Sequence, residues 1–175
     1  MKKIFAILLA AAFVACSSEN TPTEQSAPAP VKIDHAAYSS PNAAVQQRVY
    51  DYMKGIGVFF IATADGDQPR VRPFGALHIY EGKMYIITGH KKRIAQQLAA
   101  NPKVEFCAQK DSEWVRVACT LVEDERVEAK KAYLDAYPHL RGQYNENDDN
   151  TAIYYLKDAT ATFSSFTTAD EVVNF

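Results

Sequence analysis

The chain has 175 residues, a formal net charge of −2 and 47% hydrophobic content, enough for one globular domain with its own core and short for two. Near-neutral charge leaves no electrostatic footprint for a nucleic acid. There is no internal repeat, no Ser-His-Asp order with an elbow glycine, no CxxC pair and no HExxH, so hydrolytic and metal-dependent readings have no support.

Lys2 and Lys3 precede an unbroken apolar run over residues 4–15, and Cys16 follows. That run is too short to span a bilayer as a permanent helix and reads as an export signal over residues 1–15. A Cys directly after Phe13-Val14-Ala15 resembles a bacterial lipoprotein cleavage site, at which Cys16 would be lipidated. Phe13 stands where Leu is commoner, and an ordinary signal with an incidental Cys is the alternative. The expected location is the bacterial cell envelope, with membrane contact through the lipid anchor only. Residues 16–41 are rich in Ser, Thr, Pro and Ala, a composition that cannot offset its own ordering entropy, and read as a flexible tether.

The folded domain is expected over residues 42–168, with a tail at 169–175. Ser40 is the expected N-cap of a first helix with Pro41 at its first helical position. Val45, Val49, Tyr52, Met53 and Ile56 then fall at helical spacing, and Gly55 and Gly57 mark the stop. VFFIATA, apolar on both faces, is a strand. After the turn DGDQP a second strand begins at Arg70. Continuous alternation would turn Val71, Pro73, Leu77 and Ile79 one way and Arg70, Arg72, Phe74, His78 and Tyr80 the other, toward a ligand. Pro73 cannot donate to a ladder, so an edge or a bulge is expected there, with the phase free to slip before His78. A Glu81-Gly82 turn leads into the strand KMYIIT. A helix over about 91–100 follows, with Ile94 and Leu98 buried and Asn101-Pro102 ending it.

His90, Lys91, Lys92 and Arg93 crowd the first turn of that helix. Its unpaired N–H groups and the positive end of its dipole attract anions. Joined by Arg70 and Arg72, they point to a pocket for a phosphorylated ligand. The competing reading is a solvated helix start, although cations there oppose the dipole and are mildly unfavourable without a ligand.

VEFCAQ and EWVRVACTLVE read as the next two strands. Setting Gln109 opposite Trp114 brings Cys107 near Arg116 and turns Cys119 to the other face, so no disulfide joins them. Both cysteines read as small core residues. A helix over 126–137 would bury Val127, Ala132, Leu134 and Tyr137. The polar loop HLRGQYNENDDN lacks the ligand alternation of a calcium loop despite Glu146, Asp148 and Asp149. AIYYLKDA and TATFSSF then read as two further strands.

In order and spacing, IATADGDQPRVRPFG, the strand MYIITG, the helix KKRIAQQLAANPKV and the late strand ATATFSSF resemble the pyridoxamine 5'-phosphate oxidase-like, FMN-binding split-barrel proteins. The resemblance covers about residues 42–168. It implies an α+β fold, mainly β with helices, built as a split antiparallel β-barrel. It further implies a homodimer with FMN at the subunit interface, acting as an FMN-dependent oxidoreductase or flavin reductase on an unspecified small-molecule substrate or electron donor. Carried over residue by residue, Arg72, Thr88, Lys92 and Arg93 would hold the FMN phosphate, with Pro73 beside them and Arg70 a weaker candidate. Trp114 would lie near the flavin or serve as core or interface. No catalytic residue is assigned by type, because a flavin ring carries the redox chemistry itself. The basic C-terminal signature by which those oxidases bind substrate is absent from TTADEVVNF, which argues against pyridoxamine phosphate oxidation as such. Nicotinamide reductants are also scarce outside the cytoplasm. Two further readings stand beside the enzyme: a non-catalytic tethered module that binds FMN or another phosphorylated small molecule, and an empty structural barrel.

Overall fold

The computed structural model describes residue 35 and residues 39–175. The export signal, the lipidation of Cys16 and most of the tether fall outside those residues. Helix α1 (Ala43–Ile56) begins two residues later than Ser40 and Pro41 suggested. Asn42 is the N-cap, its Oδ1 accepting the Val45 N–H at 3.2 Å, and Asn caps as well as Ser. Ser40 is used differently: its N–H donates to the Gly82 carbonyl at 3.0 Å, which holds this stretch against a hairpin. Val49 and Met53 bury completely, and Gly57, at φ 84°, ends the helix.

Strands β1 (Phe59–Asp65) and β2 (Gln68–Phe74) form a hairpin around Gly66. The second strand does not run on to Tyr80. It stops at Phe74, and after residues 75–77 the chain resumes as β3 (His78–Tyr80), which pairs with β4 (Lys83–Gly89) and not with β1. β2 is an edge strand, which is where Pro73 costs no ladder bond.

Helix α2 (Arg93–Ala100), β5 (Lys103–Lys110) and β6 (Glu113–Glu123) follow. The β5–β6 register sets Gln109 opposite Trp114 and Cys107 opposite Arg116. Cys119 is buried on the core face and Cys107 half-exposed on the other; both are free thiols. Helix α3 (Val127–Ala136) buries Ala129, Lys130, Tyr133 and Leu134, whereas Val127 is 45% exposed. The burying face is therefore turned from the expected one toward Tyr133, the largest apolar body on the helix. A 3-10 turn (Pro138–Gly142) precedes the last strands.

AIYYLKDA and TATFSSF are one strand, β7 (Thr151–Ser165). Asp158, at φ 53°, bends it opposite an irregularity between Ala118 and Thr120, yet β6 stays paired along both halves. The other edge of β7 takes β4 along its first half and β8 (Glu171–Asn174) along its second. Residues 169–175 thus contain a paired strand, and Phe175 is 3% exposed in the main core.

The sheet order is β2-β1-β5-β6-β7-β4-β3, with β8 on β7. β2 and β3 sit at opposite ends of that order but are joined by residues 75–77, and four chain steps reach at most about 14 Å. The sheet must therefore roll until its two ends approach without pairing, which is a split barrel. Its interior and α1 share the main core; a second cluster, including Tyr85, Tyr133, Leu134 and Tyr155, lies under α3. Among the described residues no helix is long and apolar enough to cross a membrane.

Candidate functional site

Where the two ends of the sheet approach, a cavity of about 370 Å³ opens. The end of β2 contributes Arg72, Pro73 and Phe74, β4 contributes Ile87 and Thr88, the start of α2 contributes Lys92 and Ile94, and the 138–144 segment adds His139, Leu140, Gln143 and Tyr144. Among the described residues no carboxylate and no thiol lines it.

Arg72 lies opposite Ile61 in the β1–β2 ladder, so its side chain shares the inward face with Ile61 and Thr63. One guanidinium nitrogen donates to Thr63 Oγ1 at 2.9 Å and another to Gln97 Oε1 at 2.7 Å. Thr63 Oγ1 itself donates to the same Gln97 oxygen at 2.7 Å. Burial, with the like charge of Arg70, pulls the Arg72 pKa down, though far from enough to discharge a guanidinium. Lys92 reaches Tyr144, its Nζ donating to the phenol oxygen at 2.6 Å. Lys92 is also the N-cap residue of α2, whose end carries no side-chain cap and no acidic residue in its first turn. Thr88 is buried at the cavity wall.

The four basic side chains expected at a phosphate are sorted by their partners. Arg70 Nε and Arg93 Nη2 share Asp65 Oδ2, at 3.2 and 2.8 Å. The Arg70 hydrogen bond first, and Arg93 with it, hold the Asp65 carboxyl below the usual carboxylate range. Neither Arg70 nor Arg93 lines the cavity. Arg72 and Lys92 do line it, and among the described residues neither meets a carboxylate. Two cations without a contacting carboxylate, beside Phe74, Ile87 and Leu140, suit an anionic head group carried on an apolar body.

Trp114 is elsewhere: its ring packs 5.2 Å from Phe166 and lines a separate cavity of about 400 Å³ with Arg48, Tyr52 and Phe163. His78 does not line the central cavity. It is half-buried, its ring edge-on to Tyr133 at 5.9 Å, and burial, with Lys54 nearby, lowers its pKa. His90 bridges loop and sheet, Nδ1 at 2.7 Å from the Asp149 carbonyl and Nε2 at 2.5 Å from Glu123. Two of the loop carboxylates are occupied locally: Glu146 by Arg141, and Asp148 Oδ1 by the N–H groups of Asn150 and Thr151.

Sequence reasoning passed over Thr63, Gln97, Leu140, Gln143 and Tyr144. Gln97 left a signal, since it falls between Ile94 and Leu98 on the buried i, i+3, i+4 face of α2. A polar residue on that face needs a partner. Tyr144 left only a large aromatic in a polar loop.

The pyridoxamine 5'-phosphate oxidase family profile matches residues 45–157. Among solved structures, a NimC/NimA family protein from Clostridium acetobutylicum is 38% identical at a TM-score of 0.70, over 74% of this chain and 92% of that one. General Stress Protein 26 from Bacillus anthracis str. Sterne shares the fold at 14% identity and a TM-score of 0.60, over 75% and 98%. So does a Clostridium acetobutylicum protein related to general stress protein 26 of B. subtilis, of the pyridoxinephosphate oxidase family, at 12% identity and 0.54, over 77% and 96%. No curated protein is significantly similar. On the profile match across most of the folded residues and the 38% identity over almost the whole of a related structure, this chain belongs to the pyridoxamine 5'-phosphate oxidase family.

Proposed function

We propose that the protein is an FMN-binding flavoprotein and acts as an FMN-dependent oxidoreductase on a small substrate. It would work as a homodimer with the cofactor at the subunit interface, held in the cell envelope by lipidated Cys16. The observation that carries the cofactor reading is the cavity itself, in which Arg72 and Lys92 meet no carboxylate among the described residues while Arg70 and Arg93 are spent on Asp65. Arg72, Lys92 and Thr88 would hold the phosphate, with the open N-terminus of α2 behind Lys92. Phe74, Ile87 and Leu140 supply apolar wall for the rest of the molecule. When bound, FMN supplies hydride or electron transfer, and the protein needs to add only anchoring, orientation and exclusion of water. That division of labour agrees with a lining that holds, among the described residues, no carboxylate and no thiol.

The test is a titration of the compact unit Asp34–Phe175 with FMN, followed by absorbance and flavin fluorescence. Flavin peaks that sharpen and shift at micromolar FMN are expected. No binding at that concentration would remove FMN and leave another phosphorylated ligand, or an empty barrel, as the reading. If FMN binds, failure of NADH, NADPH and small quinol donors alike to bleach it would favour the non-catalytic tethered module.

A further inference from the structure

We propose, resting on the flavin reading above, that Gln97 and Thr63 are positioning residues that present Arg72 to an anion without pairing its charge. The neutral amide at position 97 then sets the preference for a phosphorylated over an unphosphorylated ligand. Gln97 is 5% exposed and Thr63 is 4% exposed. With Arg72 they close a triangle of three hydrogen bonds at 2.7 to 2.9 Å, drawn from α2, β1 and β2. Because the Gln97 oxygen accepts from both partners, the amide has one orientation. Gln97 lies on the same short helix that Lys92 caps, so the triangle also fixes Arg72 relative to Lys92.

The chemistry of the acceptors matters as much as their positions. A guanidinium has five N–H donors, and Arg72 spends two of them among the described residues, both on groups without net charge. Elsewhere this protein neutralises its arginines: Arg126 meets Asp124 and Glu81, Arg141 meets Asp135 and Glu146, and Arg48 meets Glu171. A carboxylate at position 97 would occupy nearly the same volume and accept the same hydrogen bonds while cancelling the charge. A core that needed only to satisfy Arg72 would be served as well by glutamate. The amide orients the cation and leaves its charge for a ligand.

Gln97→Glu separates these roles. The experiment measures dissociation constants for FMN and for riboflavin, which differ by the phosphate, in the wild-type protein, Gln97→Glu and Thr63→Ser. Gln97→Glu is expected to lose about tenfold or more in FMN affinity, the scale of one charge-assisted contact, with riboflavin affinity within about twofold of wild type. Its melting temperature should not fall, because the new carboxylate pairs with Arg72. Thr63→Ser keeps the hydroxyl and should keep the wild-type ratio of the two affinities. An unchanged FMN-to-riboflavin ratio in Gln97→Glu overturns the proposal. Equal affinity of the wild-type protein for both flavins also overturns it, whereas if the wild-type protein binds neither, the flavin reading fails and inorganic phosphate decides the inference separately. At constant ionic strength, phosphate should then raise the melting temperature of wild type more than that of Gln97→Glu. An equal rise in both, or none in either, overturns it.

Discussion

Arg72 comes from an edge strand and Lys92 from a helix start, so each can be removed without opening the main core. Replacing both by Ala is expected to weaken FMN binding about a hundredfold or more, since each charge-assisted contact is worth about 1.5–3 kcal/mol. The fold should survive, because Thr63 and Gln97 keep the hydrogen bond between them. A flavin titration and a melting curve check this together; full cofactor occupancy in the double variant would refute the phosphate assignment. His90 supplies a pH test. The Asp149 carbonyl first, and Glu123 with it, raise its pKa above the ordinary histidine value, against partial burial. With one ring nitrogen donating to a carbonyl and the other beside a carboxylate, both contacts are satisfied only by the imidazolium. Its stabilisation is fully present below the unfolded pKa and disappears as pH rises through the higher folded value. The melting temperature gap between wild type and His90→Gln should therefore be widest in mild acid and close toward alkaline pH. A gap that widened with pH would refute the bridge. At this scale the sequence revealed the cations but not their sorting. Arg72 and Lys92 were readable from strand parity and helix position, whereas Asp65 as the shared partner of Arg70 and Arg93 depends on how α2 docks against the β1–β2 hairpin.

Elements bounded by local signals were legible. Short apolar runs and the turns at Gly66 and Glu81-Gly82 located β1, β4, β5 and β6 to within a residue or two, and the β5–β6 register followed from one turn. Failures came where the partner of a strand decides its extent. Pro73 marked an edge or a bulge but not the end of β2 at Phe74, because β3 belongs to the opposite end of the sheet. AIYYLKDA and TATFSSF read as two strands, but pairing to β6 on both sides of the irregularity carries β7 through left-handed Asp158 as one. β8 was missed because Glu171–Asn174 is short and mostly exposed; pairing with β7 and the burial of Phe175 define it. Phe175 exchanges both backbone hydrogen bonds with Ala159 and places its ring among the main core residues. Phe175→Ala is therefore expected to cost about 3 kcal/mol, the lower end for a buried aromatic because the site is peripheral and can relax. Urea unfolding at constant m-value measures it. A loss below about 1 kcal/mol would mean that β8 is an ornament to the barrel and not part of its core.

The rolling of the sheet into a split barrel is a property of the whole domain, and it was readable only through family resemblance, since no stretch of sequence records which strands end the sheet. The same rolling creates the cavity, because residues 75–77 bring the β2 and β3 ends together beside the start of α2. It also leaves the outer side of the β1–β2 hairpin bare: Phe60 is 48% exposed and Val71 65%, on the face opposite buried Ile61 and Thr63. Phe60 pairs across the ladder with Pro73, which lines the cavity, so this apolar face runs to the cavity rim. In the homodimer proposed above, a second copy seated here would cover that rim and make cofactor retention depend on assembly. Phe60→Glu with Val71→Glu is accordingly expected to yield a folded monomer. Each unpaired carboxylate buried at an interface costs at least about 3 kcal/mol, more than about a hundredfold in the dissociation constant. Sedimentation velocity at micromolar protein distinguishes the states, and flavin titration of the same samples shows whether retention falls in step. A variant that stayed dimeric would move the subunit contact to another face, whereas a monomer that held FMN as tightly as wild type would show that one chain completes the site alone.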